Sequence, residues 1–320
     1  MSDSVHSILG VGGVVAAFLF LPLVIGFMEH KAMAHMQARM GPMYAGGFHG
    51  WLQLVADGVK FVQKEDVIPS AADRSVFKLA PFVALVPYLV VLTLIPIGPG
   101  GQVAQPLDQG LFVALALLGV GVVGMLMAAW SSANKFALLG GLRGAAQLMA
   151  YELPLVLAAA SVAMQAGTLS LTGIAEKWQP WWLGSQLIGF VIFMVAGLAE
   201  LRRPPFDMPI AESELVFGFL TEYTGMRFAF FLLAEYAGIL VLCALATVLF
   251  LGGWRLPFLP DQLAVVGTLI KVFALSFVVI WVRVSVPRVR EDQLQRLAWQ
   301  VLVPLALAQV ALTAVIQVMR

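Results

Sequence analysis

The chain has 320 residues, of which 61% are hydrophobic and 12% are charged, and its mean hydropathy is +0.92. This composition lies far outside the usual range of soluble domains. The formal net charge of +1 offers no strong basic field for nucleic acid. The single cysteine, Cys243, excludes an intrachain disulfide and a site built on several thiolates, such as an iron–sulfur cluster. We therefore expect an integral membrane protein.

Eight apolar windows are long enough to cross a bilayer, because a membrane-spanning helix needs about 20 mostly apolar residues. The predicted fold class is an all-α, polytopic membrane protein with one integral-membrane domain over residues 1–320. The amino terminus lacks the charged region and cleavage site of a signal peptide, so the first window is interpreted as a retained span. The predicted spans are 8–28, 76–96, 109–131, 147–167, 181–201, 227–251, 262–284 and 297–318.

Most of the nineteen basic residues lie in or beside the loops on one side of these spans. The loops are 29–75, 132–146, 202–226 and 285–296. The opposite side carries only Lys177, Arg255 and Arg320. Because Lys and Arg are enriched on the cytoplasmic side of membrane proteins, the richer side is predicted to be cytoplasmic. Both termini are then expected to face away from the cytoplasm.

Residues 51–64 have the pattern of an amphipathic helix. Apolar side chains fall on one helical face, with Trp51 as an anchor, whereas Asp57 and Lys60 fall on another. The segment is too short and too polar to span, so it is predicted to lie in the membrane interface. It is interpreted either as a plain surface anchor or as a helix whose Asp57 and Lys60 face a partner or a channel mouth.

The sequence shows no redox centre and no nucleotide site. All four histidines lie within the first 49 residues, and none is near the middle of a later span, where axial ligands of a haem would be expected. There is neither a P-loop nor a dinucleotide-binding glycine motif. We expect no haem, flavin or iron–sulfur cluster in this chain. If it serves a redox enzyme, other subunits must handle the electrons.

Acidic residues are concentrated in one stretch, 200–235, beside and inside otherwise apolar segments. A carboxylate at membrane depth is costly unless it is paired, protonated or hydrated, so such residues are functional candidates. A static ion pair is the alternative for any single one, with Lys271 in the seventh span as an expected partner. As a group, they are expected to have raised, coupled pKa values and to share protons. The acidic residues of the stretch are Glu200, Asp207, Glu212, Glu214, Glu222 and Glu235, and Glu152 lies inside the fourth span.

The connection 202–226 is predicted to be a structured acidic loop. Pro204 and Pro205 must end the fifth helix, because proline cannot continue the backbone hydrogen-bond ladder. Asp207 is expected to cap a short helix through AESELVFGFL. Gly218 and Gly225 provide flexible points, so the carboxylates could change exposure when a ligand or a partner subunit moves. A solvated acidic loop is the alternative.

Six segments of the chain carry a resemblance to one family. They are EHKAMAHMQARMGP, LQLVADGVKFVQKED, GLRGAAQLMAYELP, AELRRPPFDMPIAESELVFGFLTEYTG, FFLLAEY and RVSVPRVREDQL. In this order they resemble the signature stretches of the membrane-embedded H subunits of proton-pumping NADH:quinone oxidoreductase. That enzyme is bacterial respiratory complex I, and the mitochondrial counterpart is its subunit 1. The resemblance runs from about residue 22 to residue 304.

The resemblance implies a subunit at the joint between the hydrophilic arm and the membrane arm. It implies a chamber that admits quinone, either ubiquinone or menaquinone, while iron–sulfur clusters of neighbouring subunits supply electrons. The partners implied are the hydrophilic-arm quinone-site subunits, adjacent membrane-arm subunits and membrane lipid, with no nucleic acid. The implied location is the bacterial plasma membrane. The chain would be a non-redox subunit of a translocase, without activity alone.

Site residues follow from the positions that match the family motifs. The quinone passage would include Gln37, Arg39, Asp57, Lys60, Asp207, Arg283, Arg288 and Arg290. The carboxylates that link quinone to proton paths would be Glu152, Glu200, Glu212, Glu214, Glu222 and Glu235, to which we add Lys271 as the expected buried base. The chain departs from the family pattern at Ile210, where a carboxylate is common, and at His30 and Met43. We expect these departures to alter packing or quinone preference and to leave the fold intact.

Two other functions remain open at this point. The related membrane subunit of hydrogenase or deazaflavin-dependent dehydrogenase complexes shares the fold and the acidic sites, and neighbouring genes would distinguish it. A stand-alone proton- or cation-coupled transporter commonly has internal repeats and broken helices at mid-membrane. No internal repeat is evident here, and the acids cluster toward one side. The quinone-chamber motifs favour the quinone enzyme.

Overall fold

The computed structural model describes residues 3–99, 106–255 and 263–319, and all the regular structure within these ranges is helical. The predicted fold class, all-α and polytopic, is confirmed. The helices are α1 (Asp3–Met36), α2 (Gln53–Gln63), α3 (Arg74–Leu94), α4 (Gly110–Ser131), α5 (Lys135–Ala166), α6 (Leu171–Lys177), α7 (Trp182–Ser185), α8 (Leu187–Glu200), α9 (Glu212–Leu215), α10 (Gly225–Phe250), α11 (Ala264–Ser285), α12 (Glu291–Arg296) and α13 (Val303–Met319).

Seven helices of the described ranges are long and apolar enough to cross a membrane. They are α1 from Gly12 onward, α3, α4, α5, α10, α11 and the continuous helical segment Glu291–Met319, in which a π-helical turn, Leu297–Leu302, joins α12 to α13. Seven of the eight predicted spans therefore coincide with a helix of sufficient length. The exception is the predicted fifth span, 181–201.

The segment 181–201 is broken at Gln186 into α7 and α8. α8 has only 14 residues, about 21 Å at 1.5 Å per residue, which is shorter than the hydrocarbon core of a bilayer. The physical reason is the buried Gln186 side chain, which donates to Thr313 Oγ1 at 3.1 Å and accepts from Ser161 Oγ at 2.9 Å. These partners on α5 and α13 stabilise a polar break that an apolarity window does not detect.

α10 occupies the centre of the bundle. Its residues 237–250 are buried without interruption, and it packs against α1, α3, α8 and α11. Elsewhere small residues let helices approach closely, as is common in membranes. A Cβ added at Gly124 on α4 would lie 2.4 Å from the backbone nitrogen of Ala84 on α3. The apolar runs therefore become buried helices through close backbone packing.

The acidic connection 202–224 packs against the start of α5. Asn134 caps α5, because its Oδ1 accepts a hydrogen bond from the backbone N–H of Phe136 at 2.8 Å. A Cβ added at Gly140 would lie 2.6 Å from the carbonyl oxygen of Pro209, so glycine is required for the loop to approach. The connection between α11 and α12 also contacts this loop, since Val289 N–H donates to Pro205 O at 3.1 Å. We call this region, with the starts of α5 and α10 and the end of α11, the carboxylate end of the bundle.

α2 lies within the segment predicted to be amphipathic. None of its residues is buried in this chain, and its apolar face remains exposed, with Val62 at 66% and Trp51 just before it at 60%. On its inner side, Phe61 contacts Phe228 of α10, with ring centroids 5.8 Å apart. The exposed apolar face suits the membrane interface or a partner surface.

Candidate functional site

A cavity of about 680 Å³ opens at the carboxylate end. Its wall combines charged groups with apolar side chains of α10 and the acidic loop, among them Phe228 and Leu232. A concave site with an apolar wall and a few convergent polar groups is the usual form of a small-molecule site. The charged residues that line it are Arg202, Asp207, Glu212, Glu235, Arg283 and Arg288.

Asp207 and Arg288 form a bidentate ion pair at the rim of the cavity. Arg288 Nε lies 2.6 Å from Asp207 Oδ1, and Nη2 lies 2.7 Å from Oδ2. The hydrogen bonds to Asp207 raise the pKa of Arg288 further above its usual range, so the guanidinium stays charged. The prediction that Asp207 caps the short helix is wrong. α9 begins after Ala211 without a side-chain cap, because Arg288 offers the carboxylate two parallel charged donors.

An ion cluster of Glu29, Arg203, Glu235 and Arg283, which we call the buried ion cluster after its fully buried Glu29–Arg203 pair, lies beside the cavity. Glu235 and Arg283 line the cavity. Arg203 is 1% exposed, and its Nη1 donates to Glu29 Oε2, which is equally buried. Arg283 Nη1 donates to Glu29 Oε1, and Arg203 Nε lies 2.8 Å from Glu235 Oε1. The angle of this last contact is outside hydrogen-bond geometry, so it is an attraction between charges. Two acids and two bases balance, as buried charges require.

Glu29 and Arg203 are site residues that the sequence analysis missed. Glu29 follows the first predicted span directly, and Arg203 stands between Arg202 and two prolines, so both looked like ordinary loop charges. The available signal was their position: each lies at the end of an apolar span on the same side of the membrane. An acid and a base at such ends can meet inside the bundle, which is what Glu29 and Arg203 do.

Two carboxylates lie deeper among the helices. Glu200, 7% exposed, ends α8, and its charge interacts with those of Glu152 and Arg202. Glu152 faces α4, where a Cβ added at Gly119 would lie 3.2 Å from its Oε1. The buried Tyr88 interacts with the charges of Arg202, Glu200 and Glu235. The charge of one carboxylate therefore acts on the other.

Of the remaining acids of the loop, Glu214 and Glu222 have polar partners on or beside α5. Glu214 accepts a hydrogen bond from Arg143 Nη1 at 2.7 Å, and Arg143 Nε lies 3.4 Å from Glu291. Glu222 accepts from Asn134 Nδ2 at 2.6 Å. Glu212 is exposed and lines the cavity. These pairs attach the loop to α5 and α12, so the loop is structured, although its acidic side chains at 212 and 214 are exposed.

The expectation that Lys271 is the buried partner of a carboxylate is wrong. Its Nζ donates to three backbone carbonyls, those of Leu251 at 2.7 Å, Gly253 at 2.9 Å and Arg255 at 2.6 Å. Backbone carbonyl oxygens are strong hydrogen-bond acceptors, so an ammonium with three donors can be satisfied by them without a carboxylate. These carbonyls follow the end of α10, at the opposite end of the bundle from the carboxylates.

The structure divides the predicted quinone residues into two groups. Asp207, Arg283 and Arg288 line the main cavity, as does Ile210, so the carboxylate absent at that position would have faced it. The second group lies outside the main cavity. Gln37 and Arg39 hydrogen-bond each other at 2.7 Å, Asp57 and Lys60 pair at 3.3 Å on α2, and Arg290 pairs with Asp292 at 2.6 Å.

A second, smaller cavity of about 410 Å³ lies beside this outer group. Lys31, His35, Arg39 and His49 line it. His30, near the end of α1, interacts with the charges of Asp57 and Arg39. The position at which this chain departs from the family pattern therefore lies close to the outer group. The outer residues of α1, α2 and the segment between them therefore form a basic and polar surface, and Arg290 lies apart from it beside Asp292.

Comparison with known proteins identifies the family. The family model described as NADH dehydrogenase matches residues 9–314. The H subunit of NADH-quinone oxidoreductase from Geobacillus kaustophilus is 45% identical over 311 residues, covering 96% of this chain and 93% of the relative. The protein of the same name from Bacillus cytotoxicus is 46% identical over 312 residues, covering 94% of this chain and 92% of the relative. With nearly the whole chain matched, this protein belongs to the NADH dehydrogenase family.

Proposed function

We propose that the chain is the membrane subunit of an NADH-quinone oxidoreductase that forms part of the quinone passage and couples quinone reduction to proton translocation. The observation that carries this proposal is the cavity at the carboxylate end. It joins the Asp207–Arg288 pair to Glu235 and Arg283 of the buried ion cluster, along an apolar wall that includes Phe228 and Leu232.

The cavity suits the chemistry of a quinone. A quinone ring has carbonyl oxygens that accept hydrogen bonds, and its isoprenoid tail is apolar. The guanidinium groups of Arg283 and Arg288 supply donors, and Phe217, Phe228 and Leu232 supply apolar surface. Reduction to quinol adds electrons and protons, and the electrons are proposed to come from iron–sulfur clusters of neighbouring subunits. The role of this chain is to admit and orient the quinone and to respond to its change of charge.

The coupling that we propose is electrostatic. Negative charge that develops on the quinone competes with Asp207 for Arg288 and repels the loop carboxylates. Unit charges about 4 Å apart interact by roughly 4 kcal/mol at an effective dielectric constant near 20, which is enough to exchange a salt-bridge partner or move a proton. Glu235 receives this change through the buried ion cluster, and Glu200 and Glu152 continue the path into the bundle.

The orientation in the membrane is part of the proposal. The carboxylate end would face the cytoplasm and the hydrophilic-arm subunits, and both termini would face away from the cytoplasm of a bacterium. Gln37, Arg39, Asp57, Lys60 and Arg290 would form the outer entrance of the passage. The exposed apolar face of α2 supports this arrangement, since an interfacial helix lies where a lipid-soluble quinone enters.

Narrowing the cavity tests the quinone passage. Leu232→Trp places a larger side chain on the cavity wall. We expect kcat/KM for a short-chain quinone to fall roughly tenfold in the assembled enzyme, equivalent to about 1.4 kcal/mol of lost transition-state stabilisation. NADH oxidation by a water-soluble acceptor that bypasses quinone should not change. The matched control is Leu187→Trp, which lies 58% exposed at the far end of α8. Unchanged quinone kinetics in Leu232→Trp would contradict the passage.

A further inference from the structure

A separate charged cavity of about 440 Å³ lies at the opposite end of the bundle, near the ends of α5, α6 and α10. Its lining includes Lys177, Arg255 and three tryptophans, Trp178, Trp181 and Trp182. None of the residues assigned to the quinone passage or the proton path lines it. Its ligand chemistry is therefore independent of the function proposed above.

The two basic side chains are held in place by backbone carbonyls. Lys177 Nζ donates to Ala166 O at 2.9 Å. Arg255 Nη1 donates to Trp178 O at 3.0 Å, and Nη2 donates to Glu176 O at 2.7 Å. An ammonium has three donors and a guanidinium has five, so both groups retain N–H donors for a ligand. The exposed Glu176 side chain also lines the cavity, which leaves a formal charge of +1.

The backbone that carries Arg255 is itself fixed. Lys271 binds the carbonyls of Leu251, Gly253 and Arg255, as described above. Trp178 Nε1 donates to Phe250 O at 3.0 Å, and its ring packs on Gly252, where an added Cβ would lie 2.5 Å from the ring. This arrangement gives Lys271 a role as a positioning residue, and it means that the site is largely preformed.

The surroundings indicate a ligand at the level of lipid headgroups. Tryptophan prefers the membrane–water interface, where one side of the ring is apolar and the other is wet. This side of the protein is poor in basic residues, yet Lys177 and Arg255 converge on one cavity. The buried Gln165, 7% exposed, adds a polar group to the lining and is held by Gln186 and Ser185.

We propose that this cavity binds the phosphate of an anionic phospholipid from the leaflet at this end of the bundle. Lysine binds phosphate as a point charge, and arginine binds it through directed hydrogen bonds. The charge of +1 complements a headgroup of net charge −1, whereas a zwitterionic headgroup has no net charge for the site to neutralise. The tryptophan rings provide a surface for the glycerol and upper acyl segments, which a soluble anion would leave uncovered.

Electron cryomicroscopy of the assembled complex tests the site directly. The complex is reconstituted in nanodiscs of phosphatidylglycerol, of phosphatidylcholine, and of phosphatidylcholine with inorganic phosphate in the buffer. We expect phosphate density continuous with acyl density, in contact with Lys177 Nζ and the Arg255 guanidinium, in phosphatidylglycerol alone. Equal lipid density in phosphatidylcholine, an isolated ion in the phosphate buffer, or an empty cavity in phosphatidylglycerol would each overturn the proposal.

A variant pair gives the second readout. The double substitution Lys177→Gln and Arg255→Gln should remove the density from phosphatidylglycerol nanodiscs, whereas Lys135→Gln, an exposed lysine at the carboxylate end, should retain it. Density that persists in the double variant contradicts the assignment. Should that variant not assemble, the comparison of lipids in the unmodified complex decides the question. Because no step requires quinone turnover, failure here leaves the proposed function unaffected.

Discussion

Arg203→Gln is expected to lower the amount of assembled complex more than any other single charge substitution in this chain. Arg203 and Glu29 are each 1% exposed and in contact, and Arg203 also balances Glu235. Removing one partner of a buried ion pair leaves an uncompensated charge and costs about 3–5 kcal/mol. That is a large fraction of the roughly 5–15 kcal/mol that stabilises a typical domain.

Two further variants separate charge balance from geometry. Arg203→Lys keeps the charge, but a lysine lacks the planar guanidinium that contacts both carboxylates. We therefore expect a loss of assembled complex intermediate between those of the unmodified protein and Arg203→Gln. The pair Glu29→Gln and Arg203→Gln leaves one acid and one base, and it should recover part of what the single variant loses. The measurement is the quantity of intact complex in membranes and its thermal midpoint. If Arg203→Gln matched the unmodified protein in both, the buried ion cluster would have no structural role.

Gly218→Ala is expected to abolish most quinone-dependent activity by displacing the acidic loop. Gly218 has a φ of +54°, and a Cβ there would lie 1.8 Å from Pro209 O, far inside contact distance. The backbone of 209–218 must therefore move, and Asp207 and Glu212 would lose their positions at the cavity. We expect quinone reduction per assembled complex to fall more than tenfold, a loss above about 1.4 kcal/mol in transition-state stabilisation.

The chain offers a matched control for Gly218. Gly167 also has a left-handed φ, +63°, but an added Cβ there meets nothing within 4 Å. Gly167→Ala therefore carries only the conformational penalty, on the order of 1 kcal/mol. It should retain quinone reduction. Equal activity in the two variants would show that the close approach to Pro209 does not position the loop.

The sequence predicted the features that depend on local composition. Long apolar runs predicted seven helices of spanning length, since burial in a bilayer needs only length and apolarity. The proline pair after α8 predicted the end of that helix, and the acidic stretch 200–235 supplies Asp207, Glu212 and Glu235 to the cavity wall. The sequence shows the glycines of the loop and of α5. It does not predict the close contact of Pro209 with Gly140 and Gly218, because that contact depends on how distant segments pack.

Side-chain partners were the part that the sequence did not predict. Glu29 and Arg203 lie 174 positions apart, and nothing local indicates that they meet. Lys271 binds backbone carbonyls, which have no side-chain signature, so a buried carboxylate was the wrong partner. The break at Gln186 depends on Ser161 and Thr313 of other helices. These contacts arise from helix packing, which determines which faces are adjacent.

The central claim is that charge changes at the quinone reach protons through buried carboxylates. Proton translocation by the assembled complex in proteoliposomes, measured beside quinone turnover for Glu152→Gln, tests it most directly. Asp108→Asn, an exposed carboxylate at the opposite end, is the control and should pump normally. We expect Glu152→Gln to lose at least about nine-tenths of the pumping rate, a tenfold effect of roughly 1.4 kcal/mol. Unimpaired pumping at normal quinone turnover would contradict it.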